Sequence, residues 1–375
     1  TSAEAGRKVK MNTPKIIAFY LPQFHEIEEN NRWWGQGFTE WTNVRRGRPL
    51  FRNHYQPKIP LDDNYYSLDH LETLAWQAEL ARKYEVDAFC FYHYWFHGKL
   101  LLEKPMEMLL ENTDVDISYC ISWANETWSR RWTGEEKNIL IKQEYGNRDD
   151  WESHIKYLIR FFSDRRYLKI GNKPVLILYR AMEIPNCEEM VTYWEKRLKE
   201  EGFAGLYLIE TLNSVQRESV IKNSDALVRF EPMYTIYKTK NYLVRLYRYA
   251  INHMRLYRFG FRNYLNYDWI YRKIRRENKK REGKTVYLGV FPEWDNTARK
   301  GNAGLVIRGG NPDKFRYYFE GQYQASMESD KEYIFINAWN EWGEGAYLEP
   351  DSKNGFQYLQ AIKDVVHKYR EKNGR

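Results

Sequence analysis

Glu341 and Glu344 stand three residues apart in the segment Ala338–Asp351, AWNEWGEGAYLEPD, at the end of an apolar run. Breaking a glycosidic bond takes two carboxyl groups, one protonated to assist the departing oxygen and one ionised to act as base or nucleophile. Side chains three apart on an extended strand point to opposite faces, so both can meet one sugar only if the chain turns after Glu341. Gly343 and Gly345 give the backbone that freedom. Two carboxylates brought together also push one of their pKa values upward, which separates acid from base.

Other residues able to hold a sugar lie where apolar runs end. Tyr20 lies in the first run and Gln23 and His25 follow it; His93 and Tyr94 close the second; Trp123, Asn125 and Glu126 close the third; Tyr179 closes the fourth. Glu231 ends the sixth, Trp294 and Asp295 follow the seventh, and Asn340 and Trp342 flank Glu341 after the eighth. Trp34, Glu40 and Trp41 fall in a loop after the first run. With Glu341 and Glu344 as the catalytic pair, these residues are expected to bind substrate. The 14 Trp and 31 Tyr exceed the needs of a core, and a flat ring with a polar edge suits both the C–H face and the hydroxyls of a pyranose. His93 and His97 are four apart, a metal spacing only on a helix. They fall at a strand end, so neither a metal nor a cofactor is expected.

Those endings converge if the runs are strands of one parallel barrel, whose active site lies at the carboxyl ends of its strands. Eight runs qualify: Lys15–Pro22, Asp87–Trp95, Asp116–Ala124, Pro174–Arg180, Leu206–Thr211, Ala226–Pro232, Thr285–Pro292 and Glu332–Trp339. They read as continuous apolar stretches, as strands buried on both faces do. Segments with apolar residues at three- and four-residue spacing lie between them, among them Leu68–Tyr84, Asp150–Phe162, Cys187–Glu201 and Pro312–Met327. This alternation predicts a single (β/α)₈ barrel, a TIM barrel, over residues 11–375. No glycine-rich G-x-G-x-x-G turn follows the first strand, so a dinucleotide site is not supported.

Residues 237–284 differ in composition. They hold 15 Lys or Arg against Asp268, Glu277 and Glu282, a net of +12 in a chain of net +8. The pattern YLVRLYRYAINHMRLYRF predicts a basic helical insertion between strands six and seven. Such a segment suits an anionic membrane surface or an acidic glycan; nucleic acid is not expected, because no nucleic-acid module accompanies it. Hydrophobic residues at 43%, charged residues at 29% and no apolar run near the roughly 20 residues of a spanning helix argue against a membrane-embedded chain. Cys90, Cys120 and Cys187 lack metal-ligand spacing and cannot all pair, which favours a reducing compartment. Residues 1–10 precede Met11 and read as a remnant of expression. The cytoplasm is therefore the expected location, peripheral to the inner membrane if the basic segment binds lipid, or the periplasm if a signal segment has been removed.

The segments IIAFYLPQFH from Ile16, WWGQGFTEWTNV from Trp33, ISWANETWSRRW from Ile121, FPEWDNTAR from Phe291 and AWNEWGEGAYLEPD give the chain a wider resemblance. It resembles the family 99 endo-α-mannosidases and endo-α-mannanases, and more closely their relatives, the WbsX-type polysaccharide proteins. The resemblance implies that the first Glu of the E-x-x-E pair, Glu341, deprotonates a sugar 2-hydroxyl that attacks C1 to give a 1,2-anhydro sugar. Glu344 would be the general acid/base, with retention at the anomeric carbon. Gly343 stands where mannose-cleaving members usually carry His, which leaves sugar and linkage open. The WbsX label also carries a glycosyltransferase reading, for O-antigen or capsular polysaccharide assembly. The D-x-D that many transferases use for a nucleotide sugar occurs only at Asp114–Asp116, before strand three and on the wrong face. A barrel that binds glycan without catalysis is the third reading, and it has no need of both carboxylates.

Overall fold

A computed structural model describes residues 12–129, 138–238, 246–247, 249–251, 256, 262–279 and 283–374. The expression remnant proposed at residues 1–10 lies outside them.

Eight parallel strands close into a barrel: β1 (Lys15–Tyr20), β2 (Ala88–Phe96), β3 (Ser118–Trp123), β4 (Lys173–Leu178), β5 (Tyr207–Leu212), β6 (Ala226–Arg229), β7 (Thr285–Val290) and β8 (Tyr333–Ile336). Each pairs with its neighbour in sequence, and β1 pairs with both β2 and β8. Every run read as a strand from the sequence is one, and the fold is the predicted (β/α)₈ barrel. The strands are mostly apolar and almost wholly buried because closure covers both faces, one against the barrel interior and one against the helices.

The helices follow from local signals. In the helix Arg148–Phe162 the Asn147 side chain accepts from the backbone N–H of Asp149 and of Asp150, while Asp149 and Asp150 place negative charge on the positive end of the helix. The buried face runs through Trp151, His154, Ile155, Leu158, Phe161 and Phe162, at helical spacing. Asn311 caps Pro312–Glu328 in the same way by accepting from Lys314 N, and Pro312 suits the first turn. Trp34, Glu40 and Trp41, expected in a loop, belong instead to two seven-residue helices, α1 (Glu28–Trp34) and α2 (Glu40–Arg46). Thr39 starts the second with a capping box.

The basic insertion is not wholly helical. Asn263–Asn266 forms a strand that pairs in parallel with Leu305–Arg308, its two central residues Tyr264 and Leu265 standing opposite Val306 and Ile307. The helix Tyr267–Glu277 follows and buries Tyr267, Ile270, Tyr271 and Ile274 against Phe291, Trp294 and Tyr318. Much of the segment 239–261, on which the longer helical reading rests, lies outside the described residues. Cys90 and Cys120 are buried, free and opposite one another on β2 and β3, and Cys187 is free and half-buried.

Candidate active site

Beyond β8 the backbone makes the short strand Asn340–Glu341 and then a single tight turn, Trp342–Glu344, which ends at Gly345 in the left-handed region at φ 62°. This is the turn that brings both carboxylates round to one side. The Asn340 side chain fixes the start of the turn: its Oδ1 accepts from Leu21 N at 2.7 Å and its Nδ2 donates to Leu21 O at 3.0 Å. Asp295 N donates to Glu344 O at 2.7 Å and holds the other end.

One buried guanidinium gathers the charges. Arg299, on a short helix Thr297–Lys300, places Nε 2.6 Å from Glu40, Nη2 2.9 Å from Glu341 and Nη1 2.9 Å from Glu344. Glu40 and Glu341 are almost wholly withdrawn from water, whereas the Glu344 side chain keeps 24% of its exposure. Burial pushes the Glu341 carboxyl up to about 8, against the pull of Arg299 and with the help of the neighbouring charges of Glu344 and Glu40. A side chain at position 343 has no place in this arrangement. A Cβ there would overlap Glu40 Oε1 and lie 2.7 Å from Arg299 Nε. The space that a larger residue would use is taken by the salt bridge.

Inward-facing rings complete the mouth. Tyr92 and Tyr94 on β2 are buried, and burial together with the Glu341 charge lifts both phenols above their ordinary range. Tyr179, just past β4, is raised by burial and by Glu126, with smaller effects from Glu344 and Glu341. Glu126 pairs with Arg180. Asn125 ties the two loops together by accepting from Arg180 N at 2.8 Å and donating to Arg180 O at 2.9 Å. Gln23 lines a slot beside Glu40 with Trp34, Phe38, Asn43 and Trp128.

Residues 16–362 match the family described as Glycosyltransferase WbsX. The chain belongs to this family. Curated relatives from two strains of Xanthomonas campestris pv. campestris, both called uncharacterized protein WxcX, are 35% identical over 356 residues, or 94% of this chain. That stretch is 49% of each relative, so the chain spans about half the length of the curated relatives it matches. Among solved structures, a GH99 endo-α-mannosidase from Bacteroides thetaiotaomicron superposes with a TM-score of 0.55 at 14% identity, over 96% of this chain and 98% of its own. A glycoside hydrolase-like protein gives 0.59 at 11%, over 96% and 97%. At such identities these likenesses show a shared barrel.

In this WbsX-family chain, strand alternation separates the residues named from sequence. His93, between Tyr92 and Tyr94, points away from the barrel interior and meets His154 of the helix Arg148–Phe162 at 2.9 Å. Burial holds His93 down at about 3 and His154 well below its usual value, so both are neutral. Trp123 packs beside His154 and Trp194, also on the helix side. Tyr20 donates to Gln77 at 2.6 Å, and Gln77 donates to Glu349 at 2.7 Å. Trp342 likewise donates to Glu349, at 2.6 Å, and stacks on Tyr347. Trp41 donates to Tyr66 O and packs on Trp342, which opens the turn Trp342–Glu344. Glu231 accepts from Thr235, and burial lifts it to about 7. Trp294 is buried in the cluster around Tyr267 and Tyr271. His25 is buried near Asp69 and Lys104, with burial pushing it down to about 4.

Asp295 is occupied by His54 at 2.7 Å, Gln56 at 2.8 Å and Thr297 at 2.6 Å. Burial would raise its carboxyl, but the His54 bond and the charge of Lys58 hold it below the usual range. Arg299 was not singled out from sequence. It lies in the segment FPEWDNTAR, but one Arg in a basic chain carries no signal until its three partners are placed around it. Among the described residues, no three His, Cys, Asp or Glu side chains are grouped as a metal ion would need.

Proposed function

We propose that this chain is a retaining, endo-acting glycoside hydrolase that cleaves a bacterial polysaccharide or related glycan, with α-mannosidic linkages the first to test. The observation that carries the reading is the placement of Glu341 and Glu344 on the two terminal nitrogens of one buried guanidinium. Two carboxyl groups held so close can act on a single sugar ring. Glu341, dry and raised, is a stronger base than an ordinary carboxylate once ionised, and Arg299 favours that ionised form. Glu344, partly open to solvent, can exchange its proton with water.

In the first step Glu341 takes the proton of the 2-hydroxyl as that oxygen attacks C1, while Glu344 gives its proton to the leaving oxygen. In the second step water opens the anhydro ring at C1. Glu344 takes the proton of that water and Glu341 returns its own to O2. Two inversions give net retention, with no sugar ester on the protein. Tyr92, Tyr94, Tyr179, Gln23 and Trp34 would bind the ring, and Glu40 would hold Arg299.

A substrate-matched 2-O-methyl or 2-deoxy glycoside tests the route: it should bind without being cleaved. Rapid cleavage of it, or a sugar ester trapped on either Glu, would replace the route by direct displacement. Transfer from nucleotide sugars to longer glycans, with no polysaccharide cleaved, would overturn the hydrolase reading in favour of the activity in the family's name. The exposed cations of the helix Tyr267–Glu277, with the basic residues around it, would bring the barrel to an anionic membrane surface or an acidic glycan.

A further inference from the structure

Asp295, expected from its place after the seventh strand to bind sugar, is fully engaged within the protein. Its Oδ2 accepts from His54 Nε2 at 2.7 Å and Gln56 Nε2 at 2.8 Å, and its Oδ1 accepts from Thr297 N at 3.0 Å and Thr297 Oγ1 at 2.6 Å. The imidazole is set as a donor: its Nδ1 accepts from Leu50 N at 3.0 Å, so the ring proton sits on Nε2. Phe51 stacks on the same ring and holds its plane. A buried carboxylate whose oxygens each take two donors holds other groups of the chain in place rather than a ligand.

The groups that it holds belong to the carboxylate cluster. Thr297 opens the short helix Thr297–Lys300, and Arg299, which pairs with Glu40, Glu341 and Glu344, is two residues further on. The backbone of Asp295 meets the other half of the site: its N donates to Glu344 O at 2.7 Å. Gly345 packs so near that a Cβ there would lie 3.0 Å from Asp295 N and 3.1 Å from Asp295 Cβ. On the far side, His54 and Gln56 belong to the chain that follows α2, the helix that carries Glu40. Burial works against the ionised form of Asp295, and the His54 bond and the charge of Lys58, itself paired with Glu293 at 3.2 Å, keep it ionised.

We propose that Asp295 is the positioning residue of the cluster: through Thr297 it fixes Arg299, and through its backbone N–H it fixes Glu344, so that Glu341 and Glu344 keep their places on one guanidinium. Its effect on turnover rests on the glycan-cleaving reading; its effect on Arg299 does not. Asp295→Asn keeps the shape and breaks the strut. Whichever way the amide turns, its NH2 faces an N–H that is not free to rotate, Thr297 N at one end or His54 Nε2, fixed by Leu50, at the other. Two consequences for Glu341 then have opposite signs. Loss of the Asp295 charge alone eases the ionisation of Glu341, whereas a loosened Arg299 takes away the cation that favours it and leaves the charges of Glu344 and Glu40 to oppose it.

Carbon-13 NMR of the Glu carboxyls in the full chain reads this sign, with the Glu341 signal assigned by Glu341→Gln. In Asp295→Asn, Glu341 should titrate about one pH unit above its wild-type position. Thr297→Val, which lacks the hydroxyl, should move it the same way, and Thr297→Ser, which keeps it, should not. Thermal melts confirm that each variant folds. On a glycan that the wild type cleaves, Asp295→Asn should lose at least about tenfold in kcat with KM little changed, and the acid limb of kcat/KM should rise with Glu341. Titration of Glu341 at or below its wild-type position in folded Asp295→Asn would overturn the proposal; should that variant not fold, the same result in Thr297→Val would do so. The upward shift in a chain that cleaves no glycan would leave Asp295 assigned and count against the hydrolase. Cleavage with the titration and kcat both unchanged would remove the positioning role alone.

Discussion

The Arg299 cluster makes residue-scale behaviour predictable. Gly343→Ala forces Glu40 or Arg299 to move, since its Cβ would overlap the Glu40 carboxylate. Overpacking of this kind costs about 1–3 kcal/mol, and a shift of the guanidinium misplaces Glu341 and Glu344, the two groups proposed to act on the sugar. Turnover in Gly343→Ala should fall about a hundredfold, with a lower Tm; a variant with wild-type kinetics would show that the clamp is not needed. Glu341→Gln and Glu344→Gln should each lose at least about a hundredfold in kcat while staying folded, as loss of acid–base assistance does. The pH dependence has a definite sign. Glu341 sits at about 8 in the folded chain, above the roughly 4.3 of an unfolded Glu. Between those values the native state holds the extra proton, so the contribution of Glu341 to stability falls as pH rises through the window. Activity runs the other way, because the base must be ionised. The acid limb of kcat/KM should lie well above the ordinary carboxylate range, and melts of Glu341→Gln should lose that part of the pH slope.

At the scale of elements, the helix Tyr267–Glu277 has a buried apolar face and an exposed basic one. Its buried face, Tyr267, Ile270, Tyr271 and Ile274, covers the loop that carries Trp294 and leads to Arg299. Ile270→Ala should destabilise the chain by about 2–5 kcal/mol, the usual cost of such a cavity, measurable by denaturant unfolding. Arg272, Arg275 and Arg276 are exposed on the other face. Reversing these three charges should leave the melt nearly unchanged and weaken binding to anionic vesicles or acidic glycans. Raising salt should weaken that binding in the wild type. Binding that ignores both changes would mean that the helix serves packing alone. The sequence showed this helix through its periodicity and charge, but the strand Asn263–Asn266 before it could not be read there. Four residues gain a strand's hydrogen bonds only from the edge at Leu305–Arg308, some forty positions away in the chain.

For the whole molecule, the test of endo action is product size. A polysaccharide attacked internally should lose most of its length while few reducing ends have appeared. Release of single sugars with the polymer otherwise intact would point to exo action. The barrel itself closes through β1, which pairs with β2 on one side and β8 on the other. This brings Glu40, from the first unit, onto the same Arg299 guanidinium as Glu341 and Glu344, from the last.

The eight strands were legible from sequence because burial on both faces leaves continuous apolar runs, and the E-x-x-E pair was legible because two glycines mark the turn it needs. Orientation at the strand ends was not. Each strand alternates its side chains, so Tyr92 and Tyr94 face the mouth while His93 between them faces the helix Arg148–Phe162. A run apolar on both faces gives no clue to which side is which. The partners of each charge were hidden for a related reason. Glu40, Arg299, Glu341 and Glu344 lie up to three hundred residues apart along the chain, and only barrel closure brings them within hydrogen-bonding distance. Tertiary structure alone decided that Gly343 faces a salt bridge rather than open space, because the clash belongs to residues far from it in sequence.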